Sequence, residues 1–170
     1  MSIRIDRIDG PAPGLAAFLL AHHADMAGTA PPESQHALPM DRLLDPGVRL
    51  FAARDGDELV ATGALAPVAG DDGHEELKSM RTDPERRGQG LGRAMLDALL
   101  DDARRRGVRR VSLETGSDEF FAPARRLYER AGFVECPPFA TYVPDPHSTF
   151  LHIDLAGAGI DFADADARTR

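Results

Sequence analysis

Apolar positions along the chain switch between a period of two and a period of three to four, and the switches mark out its elements. Ile3, Ile5 and Ile8 alternate with Arg4, Asp6 and Arg7, which predicts a first strand over residues 2–9. Leu15, Phe18, Leu19 and His22 or His23 recur at helical spacing, so residues 11–27 read as a helix. Pro13 falls in its first turn, where a missing N–H is tolerated. Residues 28–39 are rich in proline and small side chains and read as a loop or a broken helix. Met40 to Leu44 has the length of one helical turn before Asp45, Pro46 and Gly47.

Two strands follow, Val48 to Ala53 and Glu58 to Pro67, joined by a hairpin turn at Arg54-Asp55-Gly56-Asp57. A turn over Gly70 to Gly73 leads to a strand from Glu76 to Thr82. Leu91, Met95, Leu96, Leu99 and Ala103 form the apolar stripe of an amphipathic helix, with Arg104 to Arg106 at its C-terminal end and Gly107 as its cap. Val108 to Thr115 reads as a strand and Pro123 to Ala131 as a helix stopped by Gly132. Phe133 to Glu135 and Thr149 to Leu155 read as the last strands, on either side of an irregular stretch over residues 137–146. Three hairpin strands followed by helix, strand, helix and strand predict one α/β (α+β) domain over residues 1–155. Its sheet is mixed and mostly antiparallel, with helices on both faces. Residues 156–170 are small and acidic and read as a flexible tail.

Charge narrows the partners. Asp and Glu total 28 against 20 Lys and Arg, a formal net charge of −8. The arginines cluster at residues 86–93 and 104–110 without making a basic face, which argues against nucleic acid. An acidic protein suits a cationic amine. Cys136 stands alone, so no intrachain disulfide can form, and a reducing cytoplasm fits. The first residues carry no cationic start followed by an apolar run, and no stretch reaches the ~20 apolar residues of a membrane helix. A cytoplasmic protein without membrane contact is the expectation. No Cys/His spacing suggests zinc and the acids form no calcium loop, so no metal is expected. Ser112 and Ser117 lack a nucleophile-elbow context.

One stretch carries chemistry. Glu76 to Ala94, ELKSMRTDPERRGQGLGRA, runs from a strand through an Asp-Pro turn and a basic loop into a helix. Gly88, Gly90 and Gly92 alternate with Gln89 and Leu91. Glycines there let a ligand approach the backbone, and the unpaired N–H groups of the helix start attract an anion. Arg86, Arg87 and Arg93 add donors. A phosphate is the predicted guest. No Gly-Lys pair supports a P-loop, and Arg93 stands where a dinucleotide fingerprint needs its third glycine. Glu114 lies at about the distance of a ribose-binding acid, so a dinucleotide remains an alternative.

Arg87-Gly88-Gln89-Gly90-Leu91-Gly92 resembles the R-x-x-G-x-G acyl-CoA loop of the GNAT N-acetyltransferases, and Ala124, Leu127, Tyr128, Gly132 and Phe133 resemble that family's second block, A-x-x-L-Y-x-x-x-G-F. Within the family, ELKSMRTDP and PPESQHAL resemble the bacterial YsnE-like proteins. The resemblance implies acetyl-CoA as cofactor, with Arg87 to Arg93 on its pyrophosphate. It implies that Met80, Arg81 and Thr82 pair through their backbone with the pantetheine arm, and that amides near Met80 hold the carbonyl oxygen at a splay in the sheet. Tyr128 becomes the general acid for the leaving thiolate. Glu76 or Glu114 becomes the general base, with Glu76 slightly preferred. Many relatives carry Asn where this chain has Phe121, which leaves Phe121 to pack against pantetheine, acceptor or core. Glu33 and His36 lie in the segment that varies with the acceptor, whereas His22 and His23 read as surface or boundary residues. The expected function is transfer of an acetyl group to a primary amine of a small molecule, in a protein that could dimerise. The alternatives are acetylation of a protein N-terminus or lysine, and a non-catalytic CoA-binding module.

Overall fold

The computed structural model describes residues 2–155, so the acidic tail predicted at 156–170 lies outside the described residues. Seven strands form one sheet: β1 Ile3–Ile8, β2 Arg49–Asp55, β3 Glu58–Pro67, β4 His74–Thr82, β5 Arg110–Gly116, β6 Val134–Glu135 and β7 Ser148–Asp154. Four helices accompany them: α1 Leu15–Met26, α2 Met40–Leu43, α3 Leu91–Arg105 and α4 Ala122–Arg130. The spatial order is β1-β2-β3-β4-β5-β7-β6, and every neighbouring pair is antiparallel except β4 with β5. The helix α3 connects that parallel pair, as such a connection requires. The α/β (α+β) expectation of a mixed, mostly antiparallel sheet is what the chain adopts.

Strand alternation supplies both faces. Leu50 and Ala52 pack with Leu15 and Leu19 of α1 and Leu43 of α2. Their neighbours Phe51 and Ala53 turn the other way, into the core shared with α3 and α4. The α3 stripe is fully inward: Met95, Leu96 and Leu99 have no exposed surface. Burying each such side chain is worth about 1.5–3 kcal/mol.

Two features of β4 shape everything downstream. Its pairing with β5 covers only His74↔Arg110, Glu75↔Val111 and Glu76↔Ser112. Both strands continue, β4 to Thr82 and β5 to Gly116, without pairing further, so the sheet splays open beyond Glu76. On its other edge β4 bulges against β3: the register passes from Thr62↔Arg81 to Ala64↔Lys78, so Ser79 and Met80 face the single residue Gly63. Ser79 takes a left-handed φ of 54°, and Thr62 Oγ1 donates to the Ser79 carbonyl at 3.0 Å. A bulge bends a strand and re-aims its side chains. Gly63 leaves room there: a Cβ would sit 2.7 Å from Met80 Sδ and 2.6 Å from Leu99 Cδ1, so a larger residue would force those side chains to shift.

The closed end of the splay is held by buried polar groups. His74 bridges Asp71 (3.0 Å) and the Ser112 hydroxyl (2.7 Å). Nearby, Asp102 of α3 accepts two bonds from Arg49 of β2, both 2.7 Å, and a third from Arg106 at 2.8 Å. Arg106 in turn grips both oxygens of Glu75 on β4, at 2.6 and 2.7 Å. Asp102 thus ties α3 to two strands, and its removal leaves two half-buried guanidiniums facing each other. Asp102→Ala is expected to lower unfolding stability by about 2–4 kcal/mol, measured by urea denaturation. A loss below about 0.5 kcal/mol would show that the cluster does not hold the helix.

Candidate active site

The splay opens onto a cleft of about 570 Å³ between β4, the start of α3, and α4. Its wall includes Met80, Arg81 and Thr82 from the unpaired half of β4 and Arg87, Gly88, Gly90, Leu91, Gly92 and Arg93 from the glycine loop. Gly88 and Gly90 have φ of 77° and 80°, which side chains rarely adopt, so glycine is needed for the backbone path itself. Gly90 is the residue before the first turn of α3, whose N–H groups have no intrahelical partners. Gly92 has a different role: a Cβ there would lie 3.3 Å from Leu127 of α4. The loop thus has the backbone form of an anion cradle, with one flank packed against α4.

Two loop residues turn elsewhere. Arg86 is held away by Asp55 at 2.5 Å and Glu58 at 2.9 Å, and Gln89 receives an Arg86 bond at 3.3 Å and is not on the cleft wall. Arg93 lines the cleft while pairing with Asp97 at 2.8 Å. Arg81 is pinned by Asp25 of α1 at 2.5 Å and packs against the Phe18 ring. Its side chain is buried, which fits a backbone role for this residue.

A second, smaller cavity of about 130 Å³ continues from the cleft toward the opposite face of the sheet. Both volumes are lined by His22, Met26, Met80, Phe121, Ala124 and Tyr128, so this set marks their junction. The small cavity adds Lys78 from β4, Glu114 from β5, and Ser34, Gln35, His36 and Leu38 from the segment between α1 and α2. Leu77 and Leu113 point into the α3 core, so by alternation Lys78 and Glu114 point to the other face. The splay between their strands lets Tyr128, which belongs to the α4 side, reach the same space.

The electrostatics differ from residue to residue. Glu114 is largely buried and its carboxyl is pushed above the ordinary range. Burial is the main cause; the Ser148 hydroxyl, donating at 2.7 Å, and the charges of His36 and Lys78 pull the other way, while Glu76 adds to the rise. Burial, helped by the Glu114 charge, pushes the Tyr128 hydroxyl well above its usual value. Burial and the nearby Arg81 guanidinium lower His22 to about 4, so its imidazole is neutral at physiological pH. Glu76 is not on the cavity wall: the Lys78 ammonium lies 2.8 Å from it and the Tyr142 hydroxyl donates to it at 2.6 Å.

The sequence-predicted set therefore divides. Met80, Thr82, Arg87, Gly88, Gly90, Leu91, Gly92, Arg93, Phe121, Tyr128, Glu114 and His36 line the two volumes, while Glu33 is exposed and off both walls. Three contributors went unnoticed in the sequence. Lys78 had a signal, sharing a strand face with Glu76 two residues away. Ser148, at a strand end, and Tyr142, inside the irregular stretch, had none. Tyr142 packs its ring edge-on to His36 at 5.0 Å, which buttresses the cavity wall. His22, read as a boundary residue, is partly buried at the junction itself.

The sequence model of the Acetyltransferase (GNAT) family matches residues 16–133. The chain belongs to this family. It is similar to the uncharacterized N-acetyltransferase YsnE of Bacillus subtilis (strain 168), 41% identical over 151 residues that cover 89% of this chain and 97% of the relative. Among solved structures it is similar to a Klebsiella pneumoniae protein provisionally described as an acyl-CoA N-acyltransferase, with TM-score 0.71 and 32% identity over 90% of this chain and 97% of the other. An Elizabethkingia anophelis GNAT acetyltransferase with acetyl-CoA bound shares the fold, with TM-score 0.65 and 18% identity over 90% of this chain and 98% of that one. GNAT membership makes acetyl-CoA the cosubstrate and sets the dinucleotide alternative aside.

The Ser148 bond predicts a measurable titration. Because that bond stabilises the charged carboxylate, Ser148→Ala is expected to move the Glu114 titration further upward, followed by carboxyl carbon NMR. A downward move or none would show that the hydroxyl does not act on Glu114.

Proposed function

We propose that this GNAT enzyme transfers the acetyl group of acetyl-CoA directly to a primary amine of a small molecule, with Glu114 as general base and Tyr128 as general acid. The observation that carries this reading is that Glu114 and Tyr128 line one side cavity, beside Met80, and that Tyr128 and Met80 also line the larger cleft. Met80 to Thr82 lie on a free strand edge, to which an amide-bearing pantetheine arm can add like a strand. The amides of the bulge at Ser79 and Met80 are fixed dipoles suited to a carbonyl oxygen gaining charge, a contribution of about 3–4 kcal/mol where measured elsewhere.

The acceptor arrives as an ammonium and must lose a proton before it can attack. A buried carboxylate with a raised pKa is a better base for that step than an exposed one. Glu76, held by Lys78 and Tyr142, is the weaker candidate for it. The amine nitrogen then bonds the acetyl carbon, and the carbon–sulfur bond breaks. Of the two protons the ammonium loses in all, one leaves to solvent through Glu114. The other replaces the proton that Tyr128 gives to the departing sulfur.

A hydroxyl pushed so far up is a reluctant donor, yet two circumstances offset this. The same desolvation makes a thiolate in that place equally costly. Once Glu114 has taken a proton, its charge no longer holds the Tyr128 proton in place. Base and acid are coupled so that the first proton transfer eases the second.

The small-molecule acceptor rests on the cavity. At about 130 Å³ it falls below the ~300–1,000 Å³ of ordinary ligand pockets and leaves little room for a polypeptide end. Screening amines by CoA release tests this. Tyr128→Phe is expected to cut kcat about 10²–10⁴-fold with acetyl-CoA affinity unchanged by calorimetry. Glu114→Gln should reduce kcat/KM similarly and remove the acid limb of its pH profile, which lies above the ordinary carboxylate range. Full turnover in either variant would overturn that residue's role. Acetyl-CoA binding without acetylation of any amine would favour a non-catalytic module.

A further inference from the structure

We propose that the acceptor is a small zwitterionic amino acid, its ammonium taken by Glu114 and its carboxylate by Lys78. This rests on the acetyltransferase reading above and adds the acceptor's second charge. Among the described residues, the cavity wall carries one acidic side chain, Glu114, and one Lys or Arg, Lys78. They come from β5 and β4, the two strands that splay, so they stand on opposite lips of one opening.

Lys78 is placed for such a contact. Its side chain is 14% exposed, and its ammonium donates to the Tyr142 hydroxyl at 2.9 Å while lying 2.8 Å from Glu76. An ammonium has three N–H donors, and these two partners use two of them. Glu76 would repel a carboxylate if it faced the cavity. It lies behind the wall instead, its charge offset by Lys78 and by the Tyr142 bond at 2.6 Å. The Tyr142 ring packs on His36 and closes this end. The rest of the wall mixes Met26, Leu38, Met80 and Phe121 with polar groups that include His36 and His147, and its apolar part suits an aliphatic side chain.

Desolvation supplies the selectivity. An acceptor entering the cavity loses water from the charges it buries and from those it meets. A zwitterion pairs both Glu114 and the remaining Lys78 donor. A simple amine of the same shape leaves that buried donor unpaired, which is the more costly outcome. A site built for a polar group rejects the analogue lacking it more strongly than an apolar pocket rejects a missing methylene. The carboxylate itself is unchanged in the reaction: the nitrogen–carbon bond forms, carbon–sulfur breaks, and the protons move as above.

The test compares matched acceptors by kcat/KM for CoA release. Small aliphatic α-, β- and γ-amino acids are each set against their carboxamide and their decarboxylated amine. At one of these spacings the acid is expected to be preferred at least about tenfold. Lys78→Met should bring that ratio close to one, and Lys78→Arg should restore part of it. The ratio is the readout because general loss of structure lowers both activities and leaves it unmoved. Equal use of acids, amides and amines by the native protein would overturn the inference, as would a preference that survives Lys78→Met. In either case the acetyltransferase reading would stand. If acetyl-CoA bound but no amine of any kind were acetylated, both would fall.

Discussion

The structure depends on an interrupted pairing. Two parallel strands that begin together stop exchanging hydrogen bonds after three residue pairs, yet both run on. Backbone N–H and C=O groups left in this way need partners, and an open strand edge is a template for adding one. The bulge opposite Gly63 helps to open the pairing by bending β4 at Ser79, and the His74–Ser112 contact keeps the other end shut. A closed sheet would seal the space between Met80 and Glu114. Splayed strands without the buried clusters around His74 and Asp102 would lack a fixed hinge. Between the two, the sheet acquires a gap through which a group on one face, Tyr128, meets a group on the other, Glu114.

The gap also separates two carboxylates that look equivalent in the chain. Glu76 and Glu114 are both strand residues near the opening. Glu76 sits at the last paired position, where Lys78 and Tyr142 hold its charge in place. Glu114 sits two residues past Ser112, beyond the pairing, with a single hydroxyl on one oxygen and little water. The difference between a carboxyl with two polar partners and one with a single hydroxyl follows from where the pairing ends. Opposite environments on neighbouring carboxyls are how a site assigns distinct roles to like groups.

Much of this was legible before any coordinates. Periodicity located the strands and the main helices, because alternation and the three-to-four repeat record which face is buried. The strand predicted from Glu76 in fact begins at His74, two residues earlier, since His74 is held inside by Asp71 and Ser112 rather than by apolar contact. The glycine loop was readable through its positive-φ requirement, but Arg86 and Gln89 were not separable from their neighbours. The Arg86 side chain is drawn off by Asp55 and Glu58, distant in sequence, and Arg86 in turn donates to Gln89. The slight preference for Glu76 over Glu114 rested on the resemblance and not on the residues themselves, because what distinguishes the two carboxyls is Tyr142, and nothing in an irregular stretch says which side chain folds inward.

That failure has a physical pattern. The cofactor side of the site is made by regular elements, a strand edge and a helix start, whose geometry follows from local rules. The acceptor side is made where two irregular segments meet: residues 28–39 bring His36, and residues 137–146 bring Tyr142, joined through an aromatic edge contact. Segments of this kind accept substitution without disturbing the sheet, because few core contacts pass through them. In the proposed reading the CoA-binding half is therefore constrained by the fold, whereas the acceptor would be chosen by side chains that the fold merely holds at the opening. Lys78 and Glu114 sit between these regimes. They are fixed on strands, so the charges proposed to meet the acceptor are rigid, and only the roof above them is free to vary.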